Sequence, residues 1–303
     1  MKPILVDALH INMGGGLMIL NHLITNLLIR GVDFVLLKDE RCPELEKEQD
    51  IRNMVILSAG NSIRKRYYTE HKNDYRAVLC FGNIPPQIKL SVPVHTYLHN
   101  VSLLKIPSDY SFKAKLITFL KKKYLQLMAK NTDTWIVQTD NTARLVKDNL
   151  ALRKQPVFEY PFYNIPDNIN KIPHDLRSDY CFVGDYTNAK GHEYLVDAWV
   201  KLSKSGIKPR LHLTVSQPVF LDYIKAAQNE GANIVNHGFV PFSEVIDIYN
   251  QSKAVIYPSL NESLGLGIIE AVEAGCDVIG ADLPYMHSVL IHIAAPPGQH
   301  ERA

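Results

Sequence analysis

Short apolar runs alternate with longer amphipathic stretches along this chain of 303 residues, once on each side of a proline-rich segment. This constrains the fold more than any other feature. An apolar run buried on both faces needs helices above and below its sheet, and parallel neighbours need a crossover, so the alternation predicts βαβ units. In the first half the runs are Ile4–Val6, Phe34–Leu37, Ala77–Phe81, Val94–Leu98 and Thr134–Gln138. A glycine run and a helical stretch from Leu17 to Arg30, ended by Gly31, follow the first of them. In the second half they are Tyr180–Gly184, Leu211–Val215, Ala254–Tyr257 and Asp277–Ala281. Pro156, Pro161, Pro166 and Pro173 interrupt the series between the halves and mark a hinge. The expected organisation is a domain over 1–160, a hinge over 161–175 and a second domain over 176–303. Two similar α/β halves favour ligand binding in the cleft between them.

The net charge of +2 gives no reason to expect nucleic acid as a partner. Cys42, Cys80, Cys181 and Cys276 are scattered, with neither a CxxC pair nor a histidine at ligand spacing. That argues against a zinc site or a disulfide framework and fits a reducing compartment. Asp7 interrupts the N-terminal apolar residues too early for a signal peptide, and no apolar run reaches the ~18 residues of a membrane span. The cytoplasm is the simplest expected address.

The most informative segment runs from Tyr257 to Ala271, YPSLNESLGLGIIEA. A strand ends at Pro258, a polar turn follows, and an apolar glycine-containing helix is expected to begin near Ser263. Its free N–H groups would make an anion site suited to a diphosphate. Gly265 and Gly267 permit close approach of a ligand to the backbone. Glu270 is a charge inside an apolar helical stretch. It is either a solvated edge residue or a carboxylate placed to accept the hydroxyls of a ribose. Glu262, eight positions earlier, is either a helix cap or part of the same site.

This segment resembles the E-x7-E motif of the retaining GT-B glycosyltransferases of group 1, glycosyltransferase family four. Three further segments share the resemblance: FVGDYTNAKGH over 182–192, NIVNHGFV over 233–240, and AGCDVIGAD over 274–282. The glycine run Gly14–Gly16 before a helix resembles the family's first loop. The resemblance implies an α/β fold of two Rossmann-like domains facing a cleft. It implies that Glu270 holds the ribose, that Glu262 contacts donor-sugar hydroxyls, and that the backbone of Leu264, Gly265 and Leu266 cradles the phosphates. Lys190 would neutralise the departing diphosphate, a charge that develops in the transition state. Gly184 would line the phosphate side, and Gly238 and Val240 the nucleobase side. One departure stands out: where the family usually carries an arginine after the strand glycine, this chain has Asp185.

In the first half, Gly14–Gly16 does not continue as GxGxxG, because position 19 is isoleucine. The expectation is a flexible loop in which Gly15 and Gly16 close over the donor phosphate. The resemblance also implies that His99, after the strand ending at Leu98, reaches the donor sugar as a catalytic group. His95 projects to the same side of that strand, which leaves the assignment open between them. From Phe112 to Met128 an apolar stripe of Leu116, Phe119, Leu120, Tyr124 and Leu127, interrupted by Lys123, runs beside Lys115, Lys121 and Lys122. This helix either packs its stripe inward or rests on an anionic bilayer with those three lysines facing the membrane.

No DxD occurs, and no His/Asp cluster has metal spacing, so no metal or other cofactor is expected. Nucleophile-elbow and P-loop motifs are missing as well. The end of the chain, AAPPGQHERA, has no helical stripe, and the expectation is an incomplete edge to the second domain. The reading is transfer of a sugar, with retention, from a nucleotide-sugar donor to a saccharide or lipid-linked saccharide acceptor. The setting would be lipopolysaccharide, O-antigen or other surface polysaccharide assembly, in the cytoplasm or at the inner face of the membrane. The rivals are a sugar-nucleotide epimerase or phosphorylase on the same fold, and a non-catalytic nucleotide-binding subunit.

Overall fold

The computed structural model describes residues 2–106, 112–150, 152, 154–163 and 171–294. Residues 164–170 of the expected hinge and the tail after 294, with the incomplete edge expected there, lie outside the described residues. The chain divides into two compact units, one holding the described residues up to 163 and the other those from 171 onward.

The first unit runs β1 (Ile4–Asp7), α1 (Gly14–Ile29), β2 (Phe34–Asp39), β3 (Met54–Leu57), α2 (Asn61–His71), β4 (Ala77–Cys80) and β5 (Val94–Leu98). It continues with α3 (Phe112–Met128), β6 (Thr134–Val137), α4 (Asp140–Asn149) and β7 (Val157–Glu159). Its strands form a parallel sheet in the order β3-β2-β1-β4-β5-β6-β7. Leu5, Val6, Leu36, Val78, Val94, Leu98 and Trp135 are buried between the helical layers. Each fully buried aliphatic side chain contributes about 1.5–3 kcal/mol. The alternation in the sequence does not mark β3 and β7. Both are short edge strands: β3 is an apolar run of four residues, none of them fully buried, and β7 has only Val157 and Phe158 before Glu159.

The second unit runs β8 (Asp179–Phe182), α5 (His192–Lys204), β9 (Leu211–Leu213), α6 (Pro218–Asn229), β10 (Ile234–Asn236) and α7 (Phe242–Gln251). Then come β11 (Ser252–Tyr257), α8 (Leu266–Glu273), β12 (Asp277–Gly280) and α9 (Pro284–Ala294). Its parallel sheet has the order β10-β9-β8-β11-β12.

Both strand orders reverse direction once, between β1 and β4 in the first unit and between β8 and β11 in the second. The connections leaving the two central strands diverge there and open a crevice beyond their carboxyl ends. The loops after β8 and β11 hold Lys190 and Glu262, and those after β1, β4 and β5 lead to Gly16, Asn83 and His99.

Two local expectations are corrected. Gly14–Gly16 is not a flexible loop but the first turn of α1, a helix anchored by buried Ile19, Leu20 and Ile24. The first turn makes no use of its N–H groups inside the helix, so glycines there forfeit little. The helix after the E-x7-E turn begins at Leu266, not near Ser263. Gly265 precedes it in the left-handed region at φ +67, where a Cβ would lie 3.0 Å from Ile268 Cδ1. Only glycine takes that conformation without strain.

Candidate donor site

The second unit gathers its polar side chains at the crevice between β8 and β11. Lys190 Nζ donates to Glu262 Oε1 at 2.8 Å, and both side chains are largely buried. The Tyr257 hydroxyl, from the end of β11, reaches the same carboxylate oxygen at 3.4 Å. The Lys190 ammonium also lies 5.7 Å from the centre of the Tyr257 ring. Residues 72 apart meet because two turns are joined. Leu260 N donates to the Ala189 carbonyl at 2.7 Å, and Gly191, at φ +70, lies flat against Pro258. A Cβ on Gly191 would sit 2.5 Å from the Pro258 oxygen, so this close approach excludes any other residue.

Glu270 lies on the inward face of α8 and is 5% exposed. The Tyr249 hydroxyl donates to its Oε2 at 3.3 Å. Burial pushes the Glu270 carboxyl up to about 7, against smaller opposing pulls from Tyr249 and Lys190. A buried carboxylate with one long hydrogen bond has unused acceptor capacity, a good match for a pair of hydroxyl donors. The solvated-edge alternative for Glu270 does not hold.

Gly184 leaves the Lys190 ammonium uncovered, since a Cβ there would stand 3.7 Å from Nζ. Its own N–H donates to Thr214 Oγ1 at 2.8 Å, and its carbonyl accepts from His192 Nε2 at 3.1 Å. Leu264 is buried, and Leu266 opens α8, whose first N–H groups have no partner within the helix. Gly238, at φ +69, and half-buried Val240 occupy the turn between β10 and α7, away from the charged cluster in sequence.

Asp185 does not carry its charge into the crevice. Its carboxylate accepts from the Ser216 N–H and hydroxyl at 2.8 and 2.7 Å, from the Gln217 N–H and side chain at 3.2 and 3.0 Å, and from Tyr186 N. Burial alone would raise this carboxyl, but these hydrogen bonds outweigh it and bring it to about 2. The acid therefore ties the loop after β8 to the start of α6, a role with no local signal in the sequence. Tyr249 and Tyr257 carry no such signal either, because tyrosines on apolar elements read as core.

In the first unit, described by itself, His99 is held by Asn83 and lies close to Gly16, while Gly15 is exposed with open space around its Cα. On α3 the apolar stripe does not pack inward: Leu116, Phe119, Leu120 and Leu127 are about half exposed. Lys115 and Lys121 are exposed too. Lys122 departs from the expectation of a membrane-facing lysine. Its ammonium donates to the Leu104 carbonyl and to Asn149 Oδ1, both at 2.7 Å, because the face of α3 that it shares with Leu125 packs on the unit. Among the described residues no helix is long and apolar enough to cross a membrane.

A doubly wound unit here gathers a lysine, two glutamates and a helix terminus at its switch point, where such sheets open a crevice for a ligand. The family model described as "Glycosyl transferases group 1" matches residues 165–295, a stretch that takes in the second unit. The O-antigen chain mannosyltransferase RfbU of Salmonella typhimurium is 39% identical over 51 residues, 17% of this chain and 14% of that protein. WaaG, a glycosyltransferase involved in lipopolysaccharide biosynthesis, has the same fold at a TM-score of 0.67 and 12% identity, over 95% of this chain and 84% of its own. A mutant of TarM of S. aureus, solved in complex with fondaparinux, alpha-GlcNAc-glycerol and UDP, has a TM-score of 0.53 at 16% identity. That match covers 74% of this chain and 45% of TarM. This chain thus spans less than half of TarM, and its match to RfbU covers a short stretch.

Proposed function

We propose that this chain transfers a sugar from a nucleotide-sugar donor to a saccharide or lipid-linked saccharide acceptor, with retention of configuration, in surface polysaccharide assembly of the lipopolysaccharide or O-antigen kind. The observation that carries the reading is the meeting of Lys190, Glu262 and Tyr257 at the β8/β11 crevice, beside buried Glu270 and the start of α8. The donor diphosphate is received by the Lys190 ammonium and the N–H groups of Leu266 and Gly267. Glu270 accepts the ribose hydroxyls. Before donor binding Lys190 is paired with Glu262. A diphosphate competes for the ammonium, and Glu262 is released to take hydroxyls of the donor sugar, so phosphate and sugar recognition are coupled. Charge develops on the leaving diphosphate as the glycosidic bond breaks, so a fixed cation acts most strongly in the transition state. That role replaces a divalent ion, and no cofactor is required. In the front-face route implied by retention, the leaving phosphate itself helps deprotonate the acceptor.

The O-antigen and lipopolysaccharide roles in the names of RfbU and WaaG favour a saccharide acceptor of that class. The exposed stripe of α3, flanked by Lys115 and Lys121, suits the surface of an anionic bilayer and supports docking at the inner, cytoplasmic face. Asp185, the residue that favoured a non-catalytic subunit, stays ionised but is held by Ser216 and Gln217 and makes no ion pair with Lys190, which pairs with Glu262 instead.

Calorimetry with a panel of nucleoside diphosphates, on the wild type and on Glu270→Ala, tests the donor site. Binding of one base, lost in the variant, is expected. A folded protein that binds none of them removes the proposal.

A further inference from the structure

His99 lies at the carboxyl end of β5, and its surroundings specify where its proton sits. Asn83, 7% exposed and at φ +70, follows β4. Its Oδ1 accepts from the backbone N–H of His99 at 2.8 Å and of Asn100 at 2.9 Å. Backbone N–H groups only donate, so the oxygen must be the atom facing them, and the orientation of the amide is fixed. Its Nδ2 is therefore the atom 3.0 Å from His99 Nε2. An amide NH2 also only donates, so Nε2 must present its lone pair. The ring then carries its proton on Nδ1, and the Phe81 backbone favours a proton on the ring.

Packing holds the ring in that pose. The imidazole lies against Phe81 and Tyr97, with ring centres 6.1 and 6.0 Å away. Gly16, in the first turn of α1, rests on its edge, and a Cβ there would stand 3.1 Å from His99 Cε1. Gly82, just before Asn83, has no room for a Cβ either, since one would stand 1.9 Å from the Leu9 carbonyl. The loop carrying the amide is thereby pressed onto the loop after β1.

We infer that Asn83 is a positioning residue: it holds His99 as the uncharged Nδ1–H tautomer under Gly16, so that the imidazole is a fixed neutral wall and neither gives nor takes a proton. Protonating Nε2 would set an N–H against an amide NH2, and burial independently lowers the imidazole to about 4. Any role of His99 in sugar transfer is then steric and dipolar. The significance for catalysis rests on the transferase reading above; the tautomer does not.

Two-bond proton–nitrogen NMR correlations on the wild type, with the His99 signals assigned from their loss in His99→Gln, test the tautomer. An Nδ1–H pattern unchanged between pH 6 and pH 8 is expected. An Nε2–H pattern, or a ring titrating in that range, overturns the proposal. Asn83→Asp is the decisive variant. Its carboxylate retains both backbone N–H groups through one oxygen and sets the other against Nε2, which draws a proton onto the ring. His99 is expected to become an imidazolium at pH 7, with kcat lowered at least ~10-fold, donor KM changed less than ~3-fold and Tm little altered. An imidazolium with wild-type kcat overturns the positioning role. A wild type that shows the Nδ1–H tautomer yet transfers no sugar counts against the transferase reading, and the assignment of Asn83 as the residue fixing His99 stands on the spectra.

Discussion

Replacing Glu270 by glutamine separates the two consequences of burying that carboxyl. In the folded chain it titrates near 7, against 4.5 for the free group, because burial disfavours its charge. The folded state therefore holds the proton more tightly than the unfolded chain does. The stabilisation that follows is fully present below pH 4.5 and is lost as pH rises through about 7. The span corresponds to about 3 kcal/mol, and with 5% of the residue exposed, screening by solvent removes little of it. Glutamine has the same shape and no titration. The difference in stability between Glu270→Gln and the wild type should thus shift by about 3 kcal/mol in favour of the variant between pH 4 and pH 8. Urea unfolding followed through Trp199 on α5 reads this change in the second unit. Ligand binding should run the other way. Ribose hydroxyls need the ionised form, which is about a tenth populated at pH 6 and about nine tenths at pH 8, so affinity should rise roughly tenfold over that interval. A nucleotide-sugar is the right probe, since its diphosphate diester has no ionisation there. A flat stability difference would refute the buried protonated carboxyl, and flat wild-type affinity would refute its role at the ribose.

Lys190→Ala should lower kcat by about 100-fold or more, the magnitude typical of removing one group that stabilises transition-state charge, with a smaller change in donor KM. Equal losses in the binding of donor and of free nucleoside would contradict this, because a nucleoside lacks the diphosphate. Gly191→Ala places a Cβ 2.5 Å from the Pro258 carbonyl at φ +70, and thermal unfolding should show a loss of at least about 1–3 kcal/mol. Leu120→Asp on α3 should weaken binding to vesicles of anionic phospholipid by about tenfold, from one lost apolar contact. Lys122→Ala should leave vesicle binding unchanged, because that ammonium is occupied by Leu104 and Asn149. Sedimentation with neutral and anionic vesicles separates the apolar from the electrostatic part.

The fold class and the segments that form the candidate site were legible in the sequence because both depend on local pattern. Apolar runs buried on two faces announce parallel strands, and the strand, turn and helix around Glu262 and Glu270 are contiguous. Lys190 was legible only through the turn that carries it. What the residues do with one another was decided by tertiary structure. Glu270 could have been a surface residue until α8 turned it inward against Tyr249, and the burial that raises its carboxyl exists only in the packed unit. Asp185 looked like an obstacle beside a diphosphate until α6 supplied hydrogen bonds 31 and 32 positions away. The apolar stripe of α3 has the period of a buried face, yet the packed side is the one bearing Leu125, Met128 and Lys122. Periodicity shows that a helix has two faces, and only the neighbours it meets determine which of them is covered. His99 was visible as a histidine after a strand, but the amide that specifies its proton comes from Asn83, brought beside it by the pairing of β4 with β5. Local propensity and patterning thus determine elements and their order. Charge states, partners and exposed faces depend on contacts between distant residues and are defined only by the packed structure.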